Sequence, residues 1–341
     1  MTLFIGLLIL AIWRWNSTPT GSTKNNLIPF PRVEAVVLNF PPNLLCLQKQ
    51  LKDLNKVDAL ALILAWLDSG RDDVTGRELR LATDGSLLEA PTLRTYLLDQ
   101  LSKVDRVAAA EYAKKILTHK TSADEWALAL RAYALVNTNV DAMAYLKKKF
   151  RELVQDEKWR TNPSVGFLEA FDVAVYAGDT GLTTEFSTLL ADKSNRATAH
   201  AAYLTMDRLV QTQPEEMLAE LQSHPDWMAN NQLTRADFFA RADVRDEKQL
   251  AVLENYLLNS SLSPVELQQF AGVFPNANYM ISHNLLTGTT TPNGADLAAR
   301  DQASLQTVNG WLADPRFAGL HAQLETIQQR LQLFIRQSAG K

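Results

Sequence analysis

The sequence has few of the residues from which metal sites and nucleophilic sites are usually built. Its 341 residues include a single cysteine, which excludes a disulfide within the chain and a cluster of thiolate metal ligands. We expect this residue, Cys46, to be a buried structural thiol, because it falls in the apolar pattern NLLCLQKQL. A lone buried thiol is compatible with a reducing compartment and with an oxidising one.

Histidine is also scarce, and its spacing does not indicate a metal site. No HExxH or HxH pair occurs, so a zinc site would need the fold to bring distant residues together. His200, in ATAHAAYLTMDRL, is the best candidate for buried chemistry, and we predict a hydrogen-bonded histidine of the core or of a groove. The full set is His119, His200, His224, His283 and His321.

The chain lacks the motifs of the common nucleotide and hydrolase sites. The phosphate-binding patterns GxxxxGK[ST] and GxGxxG after a strand are absent, and so is the GxSxG turn that presents a nucleophilic serine. We therefore predict no catalytic, cofactor-binding or metal-binding residues and no cofactor, and we expect that the protein is not an enzyme.

Neither sign of charge dominates. The chain has 34 lysines and arginines against 38 aspartates and glutamates, a net charge of −4, so nucleic acid is not an expected partner. Local acidic groups lack metal-binding spacing and are predicted to cap helices, and the one basic run is predicted to be the solvated face of a helix. These groups are Asp68, Asp72 and Asp73; Asp243, Asp246 and Glu247; and Lys147, Lys148, Lys149 and Arg151.

One apolar run stands near the N-terminus. Leu3 to Trp13, LFIGLLILAIW, carries no charge, but it is shorter than the roughly 20 residues of a spanning helix and matches the length of a signal region. We predict that residues 1–15 form a signal or membrane anchor, against the alternative of a buried helix or an apolar tail. The predicted anchor residues are Leu3, Phe4, Ile5, Leu7, Leu8, Ile9, Leu10, Ile12, Trp13 and Trp15.

Residues 16–42 are predicted to be a flexible and extended linker. Ser17 to Asn26 is polar and rich in Ser, Thr, Gly and Pro, and prolines interrupt the stretch that follows. A signal-like start followed by a tether favours an envelope-associated protein with a periplasmic body. The basic residues on the C-terminal side of the apolar run favour the alternative, a cytoplasmic body.

The rest of the chain has the pattern of short helices. Ser122 to Val136, SADEWALALRAYALV, begins with a capping serine, has a glutamate three residues later that can reach back to the Ser122 amide, and continues with apolar residues at helical spacing. Similar segments with short connections predict a helical-repeat array over 43–287 and a C-terminal helical unit over 288–341 that caps it. Aromatic residues at core spacing are predicted to pack inside it: Phe167, Phe171, Tyr176, Phe238 and Phe239.

Every second helix start is separated by about thirty to forty residues, as in arrays of helix pairs. The chain therefore resembles the degenerate HEAT or armadillo-like class at the level of architecture, over about Asn43 to Ile335. The signatures of tetratricopeptide and ankyrin repeats are missing. This resemblance implies an all-α fold, a right-handed superhelix of antiparallel helix pairs (an α-solenoid), and it transfers no functional residue.

These expectations lead to a functional hypothesis that names a binding role but no reaction or ligand. We expect a non-catalytic, membrane-associated scaffold or accessory subunit that binds another protein of a membrane or envelope complex through its superhelical surface. Two alternatives stay open: an all-helical enzyme that uses carboxylates and His200 in a central cavity, and a binder of glycan or lipid with an aromatic or apolar groove.

Overall fold

A computed structural model describes residues 43–278, 284–288 and 293–339. The predicted anchor (1–15) and linker (16–42) lie outside the described residues. Within the described ranges, the regular secondary structure is helical apart from one two-stranded hairpin and one isolated bridge, which confirms the all-α prediction. No helix of this part is both long enough and apolar enough to cross a membrane.

The chain order of the elements is a run of short helices with the hairpin near its start. The bounds are α1 Leu44–Asp53, α2 Lys56–Asp68, β1 Arg80–Leu81, β2 Leu87–Glu89, α3 Leu93–Val104, α4 Arg106–Ile116, α5 Ala123–Ala134, α6 Val140–Val154, α7 Glu157–Thr161, α8 Val165–Glu169, α9 Asp172–Ala177, α10 Thr183–Ala191, α11 Arg196–Thr212, α12 Pro214–Ser223, α13 Gln232–Phe239, α14 Glu247–Leu257, α15 Pro264–Val273, α16 Gly294–Ala313 and α17 His321–Ala339. Three short 3₁₀ turns lie at Thr180–Leu182, Pro225–Met228 and Pro315–Leu320.

Polar side chains at the helix starts explain many of these boundaries. Each accepts a hydrogen bond from a backbone amide of the first turn that has no partner within the helix. The residues that do so include Asn43, Asn55, Thr92, Asp105, Ser122, Asn139, Asp156, Ser164, Asn195, Asp246, Ser263 and Asn293.

The helices alternate between two sets. We define the first helices as α3, α5, α8 with α9, α11, α13 and α15. Among them, α3 packs against α5, α5 against α8, α8 and α9 against α11, and α13 against α15. Between α11 and α13 the rings of Tyr203 and Phe238 stack with centroids 6.0 Å apart. The second helices, α4, α6, α10, α12 and α14, follow the first helices and pack against them or against each other. This is the alternation expected of paired-helix repeats.

Helix α5 is more buried than its sequence pattern indicates. We predicted an amphipathic helix, but all its residues except Asp124 are buried, because α3, α4, α6 and α8 surround it. The charged residues Glu125 and Arg131 are among those buried. Helix α5 therefore has no solvated face, and its polar residues need partners inside the protein.

The capping box predicted at Ser122 has two hydrogen bonds, of which one forms and the other does not. The Ser122 hydroxyl accepts from the Glu125 amide at 3.1 Å. The Glu125 side chain, however, does not return to Ser122 and binds Arg94 of α3 instead. The same division occurs at α15, where Ser263 accepts from the Glu266 amide and the Glu266 side chain binds Arg235.

The polar interval between α2 and α3 contains a hairpin that the sequence analysis did not predict. Strands β1 and β2 pair antiparallel around a tight turn, with Gly85 at φ +76. Asp84 stabilises the turn, since its carboxylate accepts from the amide and the hydroxyl of Ser86. The strands have only two and three residues, with Leu87 and Leu88 adjacent, so they lack the alternation of apolar and polar residues that predicts a hairpin.

The C-terminal helices α16 and α17 pack against each other, and α17 also contacts α15. The apolar spacing of LHAQLETIQQRLQLFI predicts one stripe with Leu320, Leu324, Ile327, Leu331 and Phe334. Leu324, Ile327 and Leu331 are buried, which confirms the stripe at three positions, and Leu320 is half-buried. Phe334, which the same spacing places on this stripe, is 42% exposed. The stripe therefore ends before the helix does.

Candidate functional site

Charged side chains are buried between neighbouring first helices, and they are paired. The guanidinium of Arg94 in α3 makes two bonds to the Glu125 carboxylate in α5, at 3.1 and 3.2 Å. Arg94 also donates to the Leu67 carbonyl at 2.7 Å. This two-pronged geometry is the strongest that an arginine and a carboxylate form.

The same arrangement recurs between α13 and α15. Arg235 donates two hydrogen bonds of 2.6 Å to Glu266, which is 0% exposed. The Tyr256 hydroxyl donates to the same carboxylate at 2.9 Å. Burial, followed by the Glu266 charge, raises the pKa of Tyr256 well above its ordinary value, so Tyr256 stays a donor at every physiological pH.

Two further ion pairs connect neighbouring first helices. Arg131 of α5 contacts Asp99 of α3 at 2.5 Å and donates to the Gly85 carbonyl of the hairpin turn. Arg241, just after α13, makes two bonds of 2.6 and 3.0 Å to Asp207 of α11. Each pair joins consecutive first helices, so the pairs fix how these helices align.

A non-helical segment lies across the first helices, between these ion pairs. We call residues 284–288 the crossing segment. Its amides at Leu286 and Thr287 donate to one carboxylate oxygen of Asp172 at 2.6 and 2.7 Å, and the Thr287 hydroxyl binds the other oxygen. Arg208 of α11 donates to that hydroxyl at 3.0 Å and to the Gly288 carbonyl at 3.2 Å.

The hairpin turn approaches the crossing segment from another side. A Cβ atom built on Gly85 would lie 2.7 Å from the Asn284 carbonyl oxygen and 2.8 Å from that of Leu285. Leu285 is 2% exposed. Glu169 also accepts from the Asn284 amide at 3.3 Å. The segment is therefore held by three side chains through its polar groups and by one buried leucine, and the absence of a side chain at Gly85 makes room for it.

Gly85→Ala is expected to disturb the crossing segment, and Gly76→Ala supplies the matched control. Both glycines have a positive φ, +76 and +74, but a Cβ on Gly76 meets nothing within 4 Å. Gly76→Ala should cost only the left-handed strain of about 1–2 kcal/mol. Gly85→Ala should cost about 1–3 kcal/mol more, because the methyl group overlaps two backbone carbonyls.

Urea unfolding of both variants measures this difference. Equal losses in the two variants would show that the segment does not lie against the turn.

Asp172 is 2% exposed, and its environment changes its acidity. Burial raises the pKa of this carboxyl above its ordinary value of 3.8, although the hydrogen bonds from Thr287 and Leu286 and the Arg208 charge act in the opposite direction. The folded protein therefore holds the Asp172 proton more tightly than the unfolded chain does. Its contribution to stability is present below the ordinary value and is lost as pH rises through the folded pKa.

The raised pKa of Asp172 predicts how the stability of Asp172→Asn compares with that of the wild type as pH changes. Between pH 4 and pH 8 the unfolding free energy of the wild type should fall relative to that of the variant, because only the wild type has to ionise a buried carboxyl. Asp84→Asn should show the opposite sign in a lower window: hydrogen bonds from Ser86 lower the pKa of Asp84, so the wild type should lose stability relative to this variant as pH falls below the ordinary value of 3.8, and the difference should stay constant between pH 5 and pH 8.

Urea titrations at several pH values measure both differences. A wild type that gains stability over Asp172→Asn with rising pH would contradict the assignment.

Comparison with known proteins adds no assignment. No family model, curated protein or solved structure matches this chain.

The structure places the predicted candidates as follows. The prediction that Cys46 is buried is wrong: it is exposed, because α1 turns Leu47 inward at this point. The prediction of a core position for His200 is also wrong, since it is exposed on α11 with its ring 6.2 Å from that of Tyr203; the alternative of a groove position stays a prediction. In both cases the apolar neighbours alone take up the buried face of the helix.

The acidic groups have local roles. Asp246 caps α14, which confirms the capping prediction there, and Asp243 pairs with Arg245 at 2.5 Å. Asp68 accepts from Tyr112 at 3.1 Å, and Asp72 accepts from the Arg94 amide at 3.3 Å. In the described ranges, no group of three His, Cys, Asp or Glu side chains is placed to hold a metal ion.

The prediction of a solvated basic face on α6 is wrong for part of the run. Lys148 is exposed, but Lys147 donates to the Gly178 carbonyl at 3.3 Å. Lys149 pairs with Glu152 at 2.7 Å and lies over the Trp126 ring at 5.7 Å. Its stem covers aromatic surface, as long cationic side chains commonly do.

The aromatic predictions hold with one exception: Phe167, Phe171, Phe238 and Phe239 are buried. Tyr176 is half-buried, and its hydroxyl donates to the Ala134 carbonyl at 3.3 Å. A shallow depression of about 330 Å³ on α4, α5 and α6 is lined in part by Tyr133 and Tyr145.

Sequence reasoning missed the paired charges and the crossing segment, although one signal was present. Arg94 and Glu125 are 31 residues apart, as are Arg235 and Glu266, and the other two pairs are separated by 32 and 34. These separations fall within the helix-start spacing of about thirty to forty. A search for opposite charges at the repeat distance would have found them.

Proposed function

We propose that this chain is a non-catalytic scaffold or accessory subunit that binds another protein through the surface of its first helices. The observation that carries the proposal is the crossing segment: Asp172 and Arg208 hold a stretch of polypeptide by its backbone groups. A surface built in this way recognises the backbone of an extended polypeptide and not a particular small molecule.

The buried charges support a scaffold over the alternatives of an enzyme or of a glycan or lipid binder. Arg94, Arg131, Arg235 and Arg241 are each committed to a carboxylate of a neighbouring helix. Such pairs align the helices and leave the charge compensated, whereas acid–base catalysis needs titratable groups that converge on an open cavity.

The finer architecture belongs to this proposal. Stacked helix pairs with a consistent alternation favour a right-handed superhelix of the HEAT or tetratricopeptide-like kind, which would give the first helices an extended binding face. We further propose that the apolar residues 3–13 attach the protein to a membrane, with the body in the periplasm, and that the partner belongs to an envelope complex.

Site-specific photo-crosslinking in cells tests the binding face. A photoreactive residue at His200, exposed on the first helix α11, should yield a discrete adduct with another protein. The same residue at Val107, 64% exposed on the second helix α4, should not. Adducts from both positions alike, or from neither, would contradict a binding face on the first helices.

Cell fractionation tests the membrane proposal. Deletion of residues 2–15 should move the protein from the membrane fraction to the soluble fraction. An unchanged distribution would contradict a membrane anchor in this segment.

A further inference from the structure

The crossing segment is the tip of an excursion whose two ends are fixed at one place. Arg241, after α13, interacts with the Asn276 carbonyl at 3.5 Å where the chain leaves α15. Arg300 of α16 donates to the Arg241 carbonyl at 2.6 Å and contacts the same Asn276 carbonyl. The chain thus departs from and returns to the region of Arg241.

The excursion reaches a different part of the array. Its tip contacts α8, α9 and α11 through Glu169, Asp172 and Arg208. Helix α11 packs directly against α8 and α9. The helices under the tip are therefore joined without it, and the contacts that anchor Asn276 and Arg300 do not involve the tip.

The fit of the crossing segment to its site is incomplete. Among the described residues, the side-chain oxygen of Asn284 is buried and has no hydrogen-bond partner. An unsatisfied buried acceptor is destabilising, because its hydrogen bond to water is lost and not replaced. A segment of another protein that satisfies this position would bind the same surface better.

We propose that the surface around Asp172 and Arg208 is a binding site for an extended polypeptide segment, and that residues 284–288 occupy it as an internal ligand that a partner's segment displaces. This inference rests on the proposed scaffold function and specifies its ligand. The contacts define the chemistry: a buried apolar residue, two consecutive backbone amides for the aspartate, a serine or threonine hydroxyl between the two charges, and a carbonyl for the arginine.

Competition in cis has a measurable consequence. A tethered segment acts at a high effective concentration, on the order of millimolar for a short linker. A free peptide with the same sequence should therefore bind the wild type weakly, and it should bind much better once the internal copy is impaired.

The test uses the full chain and a fluorescent peptide with the sequence of residues 281–290, ISHNLLTGTT. In fluorescence anisotropy, the variant Leu285→Asp with Thr287→Ala should bind this peptide at least tenfold more tightly than the wild type does. Adding Asp172→Asn or Arg208→Ala should reduce the binding at least tenfold. A peptide that carries the same Asp and Ala replacements should not bind.

Hydrogen exchange on the wild type gives a second readout that needs no destabilising variant. Excess peptide should speed exchange at Leu286 and Thr287 of the protein while leaving α5 unchanged. Equal binding of both peptides, no gain from impairing the internal copy, or no change in exchange at saturating peptide would each overturn the inference.

The outcomes separate the two proposals. A partner adduct at His200 without peptide binding would leave the scaffold function standing and reject the internal ligand. Peptide binding without an adduct would leave the site standing and count against the scaffold function.

Discussion

Replacing Glu266 by alanine is expected to lower the free energy of unfolding by about 3–5 kcal/mol, because it leaves the buried Arg235 guanidinium without its carboxylate. Glu266 is 0% exposed and accepts from Arg235 twice and from Tyr256 once. Urea unfolding followed by circular dichroism measures the loss. Glu266→Gln should lose less, since its amide oxygen keeps one acceptor.

An exposed ion pair is the matched control for this prediction. Lys248 and Glu215 approach to 2.7 Å, but their side chains are 76% and 41% exposed. Exposed pairs add little to stability, so Glu215→Ala should leave the unfolding midpoint unchanged. Similar losses in Glu266→Ala and Glu215→Ala would show that the Arg235–Glu266 pair does not lie in a buried position.

Phe171→Ala is expected to cost about 3–5 kcal/mol, as is usual for a buried phenylalanine reduced to alanine. Its ring is 0% exposed and lies 5.5 Å from Phe167, 5.8 Å from Phe150 and 6.0 Å from Phe186. These rings come from α6, α8 and α10, so the substitution opens a cavity where several elements meet.

Phe334 provides the comparison, because it is 42% exposed on α17. Phe334→Ala should change the unfolding free energy by no more than about 0.5 kcal/mol, the usual range for surface substitutions. Thermal unfolding of both variants is sufficient to measure the contrast. Phe171→Ala with a stability close to that of the wild type would contradict the described core.

The sequence was most informative where local rules decide the structure. Caps such as Ser122, Ser164 and Ser263 mark helix starts in the structure, since a capping bond involves only neighbouring residues. The all-α class followed from the same kind of local pattern, and the alternation of helices is compatible with the predicted repeat architecture.

The side-chain partners were not predictable in this way. Glu125 and Glu266 satisfy the local capping-box rule, yet each binds an arginine 31 residues earlier. In each case a buried ion pair between two helices replaces the weaker capping-box bond of the glutamate side chain. The local sequence does not show which of these two bonds forms.

The candidate site was missed for a related reason. Asp172 and Arg208 look like ordinary polar residues of two helices, and the crossing segment lies about 115 and 80 residues further along the chain. Contacts of this range depend on the assembled fold, and a single sequence without repeats of a known family does not reveal them.

The most direct test of the account is amide hydrogen exchange at Leu286 and Thr287. Because their amides donate to the buried Asp172 carboxylate, both should exchange slowly in the wild type and quickly in Asp172→Ala, with the exchange of α5 unchanged. Exchange of these two amides in the wild type at the rate of an unstructured peptide would contradict the central claim that the first helices hold a stretch of polypeptide.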